Sequence, residues 1–318
     1  MELIEGVLGC DMRSIARAVS LIENDGRDKE VLVDGLWEHC GRATVWGITG
    51  PPGAGKSTLV DRCIERERRA GRKVAVIAID PSSPFTGGAI LGDRLRMQQH
   101  ATDEGVFIRS MASRGHLGGV SLATCDAVKV FDAAGFDTIF IETIGVGQTE
   151  VEIIELSDVV MLVLVPGMGD EIQAMKAGIM EIGDIFVINK KDLDGADKLK
   201  SEVEYVLDIK ENNGGSTRNP VEMVCAKDDE GVDDLIETFY GYLDHMREEG
   251  YLEAKRRQRI GREMEKILHD KIVRLMDMHF DFAGNMKEWT DMVFSRKVGP
   301  YTLMSKKVQN FLEEKDTL

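Results

Sequence analysis

The chain has 318 residues, of which 43% are hydrophobic, and its formal net charge is −16 with an isoelectric point near 4.9. This length and composition can supply one large globular domain or a core with appendages. The strong negative charge disfavours nucleic acid and anionic membranes as partners.

The five cysteines are scattered and include no C-x-x-C pair, a pattern that suits reduced thiols and offers no zinc spacing. The acidic N-terminus shows neither a secretory signal nor a transit peptide. The longest apolar run, Val159–Val165, is too short to span a bilayer. These features predict a cytoplasmic protein without a membrane partner.

Residues 1–40 are predicted to form a helical cap packed on the main domain. Between Arg13 and Glu23, apolar residues recur three and four positions apart, which gives one buried stripe. Asn24-Asp25-Gly26 should end that helix.

Short β-rich runs alternate with amphipathic helical runs from about Thr44 to Asp244. This alternation predicts an α/β fold with a mostly parallel sheet and right-handed crossovers, a core that we place at residues 41–245. Ligands of such sheets bind at the carboxyl ends of the strands. The predicted strands are Thr44–Thr49, Lys73–Ile79, Val106–Arg109, Thr138–Glu142, Val159–Val165, Ile185–Ile188 and Val221–Val224.

The segment 50–58, Gly-Pro-Pro-Gly-Ala-Gly-Lys-Ser-Thr, fits the phosphate-binding loop G-x-x-x-x-G-K-[ST] between a strand and a helix. The glycines let backbone N–H groups turn toward a polyphosphate, and the helix that follows offers its N-terminus to the same charges. Lys56 is expected to bind the β and γ phosphates, and the Ser57 hydroxyl to ligate Mg²⁺. The predicted contacts come from Gly53, Ala54, Gly55, Lys56, Ser57 and Thr58.

Acidic residues follow other predicted strands. Asp80 can hold Mg²⁺ directly or through water, or it is simply a helix cap or turn former. Asp93 lies in a glycine-rich segment, where it could orient a water or a metal while Arg94 or Arg96 meets phosphate charge. The alternative for this segment is a solvent-exposed charged turn.

Glu142 ends an apolar strand three residues before Gly145, which is the position of the magnesium-linked acid and γ-phosphate sensor of nucleotide switches. The Gly145 N–H can contact a γ-phosphate only while that phosphate is present. Gln148 either positions a water or has a structural role.

Asn189-Lys190-Lys191-Asp192 is the guanine-reading pattern N-K-x-D. The Asp192 carboxylate can accept hydrogen bonds from the guanine N1–H and 2-amino group, which adenine lacks, while Asn189 braces the site and the Lys190 stem packs on the base. Cys225-Ala226-Lys227 is a variant of the S-A-K loop, whose backbone contacts the guanine oxygen. The expected ligand is GTP or GDP with Mg²⁺.

The sequence resembles the MeaB/ArgK family of methylmalonyl-CoA mutase-associated P-loop GTPases across nearly its whole length. The resemblance implies that Asp80, Asp93 and Glu142 form the magnesium and hydrolysis cluster with Lys56 and Ser57, and that Lys56, Asp93 and Glu142 are catalytic. It rests on the motifs at 50–57, 80–83, 91–94, 142–148, 166–178 and 189–192.

The segment 166–178 implies, by the same resemblance, a third switch through which the GTPase contacts its partner, with Asp170 and Lys176 in the relay. Physically it is a glycine-broken loop after a buried strand, which a nucleotide could order or release. The alternative is a plain strand–helix connection.

Residues 246–318 change character, because Tyr251–Met278 has a long amphipathic helical pattern. We expect its basic stretch, residues 255–259, to be a solvated helix face. The resemblance implies that this region is a helical dimerisation arm, and hence a homodimer.

The resulting hypothesis is a GTP-hydrolysing chaperone that gates cofactor loading, protection or reactivation of an adenosylcobalamin-dependent acyl-CoA mutase. One alternative is a nickel- or cobalt-type metallochaperone GTPase, which would need a His/Cys cluster that the sequence does not show. The other is a kinase or ATPase of an amino-acid uptake system, which the N-K-x-D pattern opposes.

Overall fold

The computed structural model of the protein describes residues 2–81, 100, 102–113, 121–143, 149–167, 181–212 and 219–315. Within these residues the chain divides into two compact units, residues 1–260 and 261–318. The limits predicted above for three domains, 1–40, 41–245 and 246–318, stay predictions.

The first unit is built on a parallel sheet of seven described strands in the order β3-β2-β4-β1-β5-β6-β7. This confirms the predicted α/β fold with a P-loop NTPase sheet. The strands are β1 Thr44–Thr49, β2 Val74–Pro81, β3 Val106–Ser113, β4 Thr138–Thr143, β5 Val159–Leu164, β6 Ile185–Ile188 and β7 Val221–Met223.

The limits of β1 and β6, two strands that are buried along their whole length, agree with the sequence prediction. The largest difference is β3, which was predicted to end at Arg109 and continues to Ser113. Its second half, Ser-Met-Ala-Ser, has little intrinsic strand preference. Pairing with β2 as far as Pro81 carries it on, because neighbouring strands override a weak local preference.

The described helices number eleven. Asp11 caps α2 by accepting a hydrogen bond from the Ser14 N–H at 2.8 Å, and the helix ends at Glu23 before the predicted stop. The helices are α1 Glu2–Leu8, α2 Met12–Glu23, α3 Lys29–Leu36, α4 Lys56–Arg69, α5 Ser121–Ala133, α6 Thr149–Leu156, α7 Ala196–Asn212, α8 Val232–Glu248, α9 Tyr251–Phe280, α10 Phe282–Phe294 and α11 Pro300–Lys315.

Helices cover both faces of the sheet. On one face α1, α2 and α3 pack with α5 and α6, and on the other α4 and α8 close a second core. Trp46 of β1 is fully buried in that second core, with its ring stacked on Phe239 of α8 at a centroid distance of 3.4 Å. The central strands are therefore buried on both sides, as their apolar sequences indicate.

Asp158 is a buried charge at the amino end of the sheet, immediately before β5. Its carboxylate accepts hydrogen bonds from the Val45 N–H at 3.0 Å and from Arg256 at 2.6 Å, and it lies 3.3 Å from Arg259. Burial acts to raise the pKa of Asp158, but the hydrogen bond from Arg256 and the charges of Arg259 and Arg256 outweigh it and hold that pKa below its usual value.

The basic stretch of α9 is thus not a solvated face, and that expectation is wrong for three of its four cations. Lys255 Nζ lies 2.9 Å from the Asp184 carboxylate, and the side chains of Arg256 and Arg259 are mostly buried against Asp158. Arg257 alone of the four has an exposed side chain. Periodicity cannot reveal acids that the fold brings from 70 to 100 positions away.

The second unit consists of the rest of α9 with α10 and α11. Its small core is formed by Phe280, Trp289 and Leu303. Outside that core, α9 keeps large apolar side chains exposed: Met264, Leu268, Ile272, Val273, Leu275 and Met278.

Among the described helices, none combines the length and apolarity that crossing a membrane requires.

Asp158→Asn should destabilise the protein by about 3 kcal/mol, because it leaves the Arg256 guanidinium buried without its counter-charge. Glu253→Gln is the matched control, since Glu253 pairs with Arg257 on the exposed side of the same helix. Urea unfolding at neutral pH measures the free energy of unfolding of both variants. Equal, small effects of the two variants would contradict this account.

The same substitution has a defined pH dependence. Because the folded-state pKa of Asp158 is lowered, its contribution is complete above the unfolded-state pKa of about 3.9 and is lost as pH falls through the folded-state value. The stability difference between wild type and Asp158→Asn should therefore shrink as the pH falls below about 4.

Candidate nucleotide-binding site

The phosphate loop lies between the carboxyl end of β1 and the start of α4, near the centre of the sheet. Gly50 opens the loop with a φ of 141°, and a β-carbon there would lie 2.1 Å from the Val163 carbonyl oxygen of β5. Gly55 closes it with a φ of 87°, directly before the first helical residue. Glycine is required at both places, because side chains would collide or strain the backbone.

Lys56 folds back over its own loop. Its Nζ donates to the carbonyl oxygens of Gly50 at 2.7 Å and Pro51 at 3.0 Å, and the residue is only 6% exposed. The ammonium group is thereby held inside the turn, where loops of this kind gather phosphate oxygens. Ser57 and Thr58 follow in the first turn of α4.

Ser57, in the first turn of α4, meets Glu142 near the carboxyl end of β4. The Ser57 hydroxyl donates to Glu142 Oε1 at 2.6 Å, and Glu142, on β4, is 2% exposed. A hydroxyl and a carboxylate are hard oxygen donors, the type that Mg²⁺ prefers, so these two residues fit a magnesium site. Asp80 is the penultimate residue of β2, the strand that pairs with β4, and its side chain is not described.

Asn189 connects the phosphate loop with the segment Cys225-Ala226-Lys227, which is the predicted base loop. Its Nδ2 donates to the Ala54 carbonyl at 2.8 Å, while its Oδ1 accepts from the N–H groups of Lys190 at 2.8 Å and Ala226 at 3.0 Å. Lys190 Nζ donates to the Gly53 carbonyl at 2.9 Å, so it too reaches the phosphate loop. Asn189 is 3% exposed, and its carboxamide is satisfied by backbone.

Asp192 lies at the exposed side of the same region, beside Cys225. The Cys225 thiol is 3.2 Å from Asp192 Oδ1 and 3.1 Å from Asp228 Oδ2. Burial and the neighbouring Asp228 and Asp192 raise the pKa of Cys225 to about 11. The thiol is therefore protonated at neutral pH, and its single hydrogen can be donated to either carboxylate. The three side chains are also close enough to surround an ion. Lys227 is exposed at the end of this loop.

Several predicted residues lie outside the described part of the chain: Asp93, Gly145, Asp170 and Lys176, together with Arg94, Arg96 and Gln148. Their roles stay predictions. The structure brings together Lys56, Ser57 and Glu142 at one end of the site, and Asn189, Lys190, Asp192, Cys225 and Ala226 at the other.

Two residues of α4 that belong to no sequence motif, Arg62 and Arg66, contact the base loop. Arg62 donates to the carbonyls of Ala226 and Lys227, and Arg66 pairs with acids just beyond them. No sequence signal marks them, because α4 reads as an amphipathic helix with a charged face.

A family model described as methylmalonyl-CoA mutase-associated GTPase MeaB matches residues 15–280. The chain belongs to the MeaB family. The match includes the phosphate loop, Glu142, the N-K-x-D segment and the Cys225 loop, so the MeaB assignment and the site geometry concern the same residues.

Individual relatives agree with the MeaB assignment. A protein of Pyrococcus horikoshii that bears the name GTPase is 45% identical over 95% of this chain and 95% of its own. GTPase ArgK of Escherichia coli is 33% identical over 91% of this chain and 89% of its own. The crystal structure of a LAO/AO transport system kinase, 25% identical, covers 98% of this chain and 97% of its own with a TM-score of 0.71.

This MeaB-family protein is a P-loop GTPase, and its family implies that it binds a nucleotide. The assignment of individual residues to phosphate, magnesium and base remains our proposal, supported by the contacts above.

Asp192→Asn should weaken GDP binding by about a hundredfold while leaving the weak binding of ADP unchanged, because an amide cannot accept from both guanine donors. Asp194→Asn, a charge-matched change at an exposed neighbouring acid, is the control. Titration calorimetry measures both nucleotides. Retained preference for GDP in Asp192→Asn would show that another residue reads the base.

Proposed function

We propose that this GTPase is a chaperone of an adenosylcobalamin-dependent acyl-CoA mutase of the methylmalonyl-CoA mutase type. It gates cofactor loading, protection or reactivation of that enzyme. The observation that carries the proposal is the match of residues 15–280 to a family whose description names the mutase. The site geometry supports the nucleotide half of this function.

At the phosphate end, Lys56 binds the β and γ phosphates in this proposal, and the loop N–H groups surround them. Ser57 and Glu142 hold Mg²⁺, with Asp80 and Asp93 as further acids. The ion, when bound, neutralises charge on the phosphate oxygens. Lys56, Asp93 and Glu142 then position the γ-phosphate and the attacking water for in-line transfer.

At the other end, Asp192 selects guanine and the Cys225-Ala226-Lys227 backbone meets the base oxygen. The Cys225 thiol aligns the Asp192 carboxylate through the contact at 3.2 Å. A protonated thiol suits this task, because a thiolate would repel the carboxylate that it has to orient.

Hydrolysis can act on a mutase only if the GTP and GDP states differ in affinity for it. We assign that difference to the segments after β4 and β5, with Gly145 as γ-phosphate sensor and Asp170 and Lys176 as relay. β5 leads to Pro166 and to Gly167, whose φ of 90° allows a sharp turn.

The decisive experiment is a pull-down of a purified adenosylcobalamin-dependent acyl-CoA mutase on the immobilised full chain. It compares GDP with a non-hydrolysable GTP analogue. We expect the retained amount to differ at least severalfold between the two nucleotides. Lys56→Ala should abolish the difference, because it removes the charge that binds the phosphates. Equal retention in both nucleotides by the wild type would refute the chaperone proposal while leaving the GTPase assignment intact.

We further propose that the C-terminal region is a dimerisation arm and that the occupant of its apolar face is a second copy of the chain. Met264, Leu268, Ile272 and Leu275 form one stripe at spacings of three and four, and all four are exposed. Contiguous exposed apolar patches mark interaction sites in proteins.

Leu268→Glu should shift the sedimenting species from dimer to monomer, because it places a charge inside the apolar stripe. His269→Glu, on a different side of the same turn, is the control and should stay dimeric. A wild-type chain that sediments as a monomer at micromolar concentration would exclude this arrangement.

A further inference from the structure

The helix that follows the phosphate loop also holds the base loop. Arg62, on the second turn of α4, donates from Nε to the Ala226 carbonyl at 3.1 Å and from Nη2 to the Lys227 carbonyl at 3.4 Å. These two carbonyls belong to the loop whose backbone is proposed to meet the guanine oxygen. A guanidinium donates in a fixed planar geometry, so two adjacent peptide groups are set by one side chain.

Arg66, one turn later, braces the next part of the same segment. It forms an ion pair with Asp229 at 2.6 Å and donates to both carboxylate oxygens of Asp233, at 2.9 Å and 3.3 Å. Asp229 has a left-handed φ of 62°, a conformation that costs energy for a residue with a side chain. The contact with Arg66 helps to hold it, so the loop is fixed behind the residues that Arg62 contacts.

We propose that Arg62 is a positioning residue for guanine recognition, which holds the Ala226–Lys227 backbone against the base from the phosphate-loop helix. This inference rests on the proposed role of Asp192 and the Cys225 loop in reading guanine. It adds that base selection depends on a residue of α4, which does not itself touch the nucleotide.

Arg68 is an arginine of the same helix whose contacts lie away from the base loop, so it serves as a structural control for Arg62. Its side chain is as buried as that of Arg62, with 26% and 27% exposed respectively. Arg62 also pairs with the Glu65 carboxylate at 3.2 Å, and Arg68 likewise binds both a backbone carbonyl, that of Arg72, and a carboxylate, that of Asp103. Its partners lie away from the base loop, so Arg68→Met removes equivalent contacts without touching guanine recognition.

The test compares Arg62→Met with Arg68→Met in the full chain. The affinities of GDP, ADP and inorganic tripolyphosphate are measured by calorimetry or competition, and thermal unfolding is recorded for each variant. Methionine keeps the aliphatic stem and removes the guanidinium. Arg62→Met should weaken the binding of GDP by about tenfold, which is the loss expected when charge-assisted hydrogen bonds are removed. The affinities for ADP and tripolyphosphate should change less than about twofold, because the binding of neither ligand depends on the guanine oxygen.

The steady-state kinetics of GTP hydrolysis should show the same separation, with an effect on KM and little effect on kcat. KM for GTP rises in Arg62→Met while kcat at saturation stays within about twofold, because the hydrolytic groups are untouched. Arg62→Lys keeps the positive charge but offers fewer hydrogen-bond donors, so it should recover part of the GDP affinity. If the methionine variant fails to fold, the lysine variant must still show a smaller loss that is confined to guanine nucleotides.

Three results would overturn the proposal. They are an unchanged GDP affinity in Arg62→Met, equal losses of GDP and tripolyphosphate, and the same guanine-specific loss in Arg68→Met. Asp192→Asn separates this outcome from failure of the proposed base site. If that variant loses its preference for GDP while Arg62→Met keeps the GDP affinity of the wild type, only the role of Arg62 is wrong. If Asp192→Asn keeps the preference, the base is read elsewhere and both assignments fall.

Discussion

The carboxamide of Asn189 is the interaction on which the nucleotide site depends. It binds the Ala54 carbonyl on one side and the Ala226 N–H on the other, so the phosphate loop and the base loop share one buried group. Each partner would be buried without a hydrogen bond if the carboxamide were absent, and such a loss costs more than the bond itself contributes. A β-carbon at Gly55 would lie 2.4 Å from Asn189 Nδ2, which explains why the loop needs glycine there.

Helix α4 is fixed at its far end as well. Glu67 is fully buried and accepts hydrogen bonds from Thr138 of β4 and Tyr240 of α8, with Arg72 paired to the same carboxylate. Contacts with β4, α8 and the base loop leave this helix little freedom to shift.

The sequence predicts what is encoded locally and misses what the fold brings together. Residues 50–58 and 189–192 are contiguous motifs, and β6 is a contiguous apolar run, so the local sequence alone locates them. Arg62 binds a carbonyl 164 positions away, and Arg256 binds a carboxylate 98 positions away. Nothing in the neighbouring residues of either arginine encodes its partner. Without pairing information, both read as ordinary charges on a helix surface.

The stacked Trp46 has a consequence for how this protein can be observed. The chain contains three tryptophans, and each reports on a different environment. Trp46 is fully buried next to Phe239, Trp37 is 48% exposed beside the N-terminal helices, and Trp289 is 5% exposed in the C-terminal unit. Acrylamide in water should quench the indole emission of Trp37 first. Single-tryptophan variants would therefore give each part of the molecule its own optical signal.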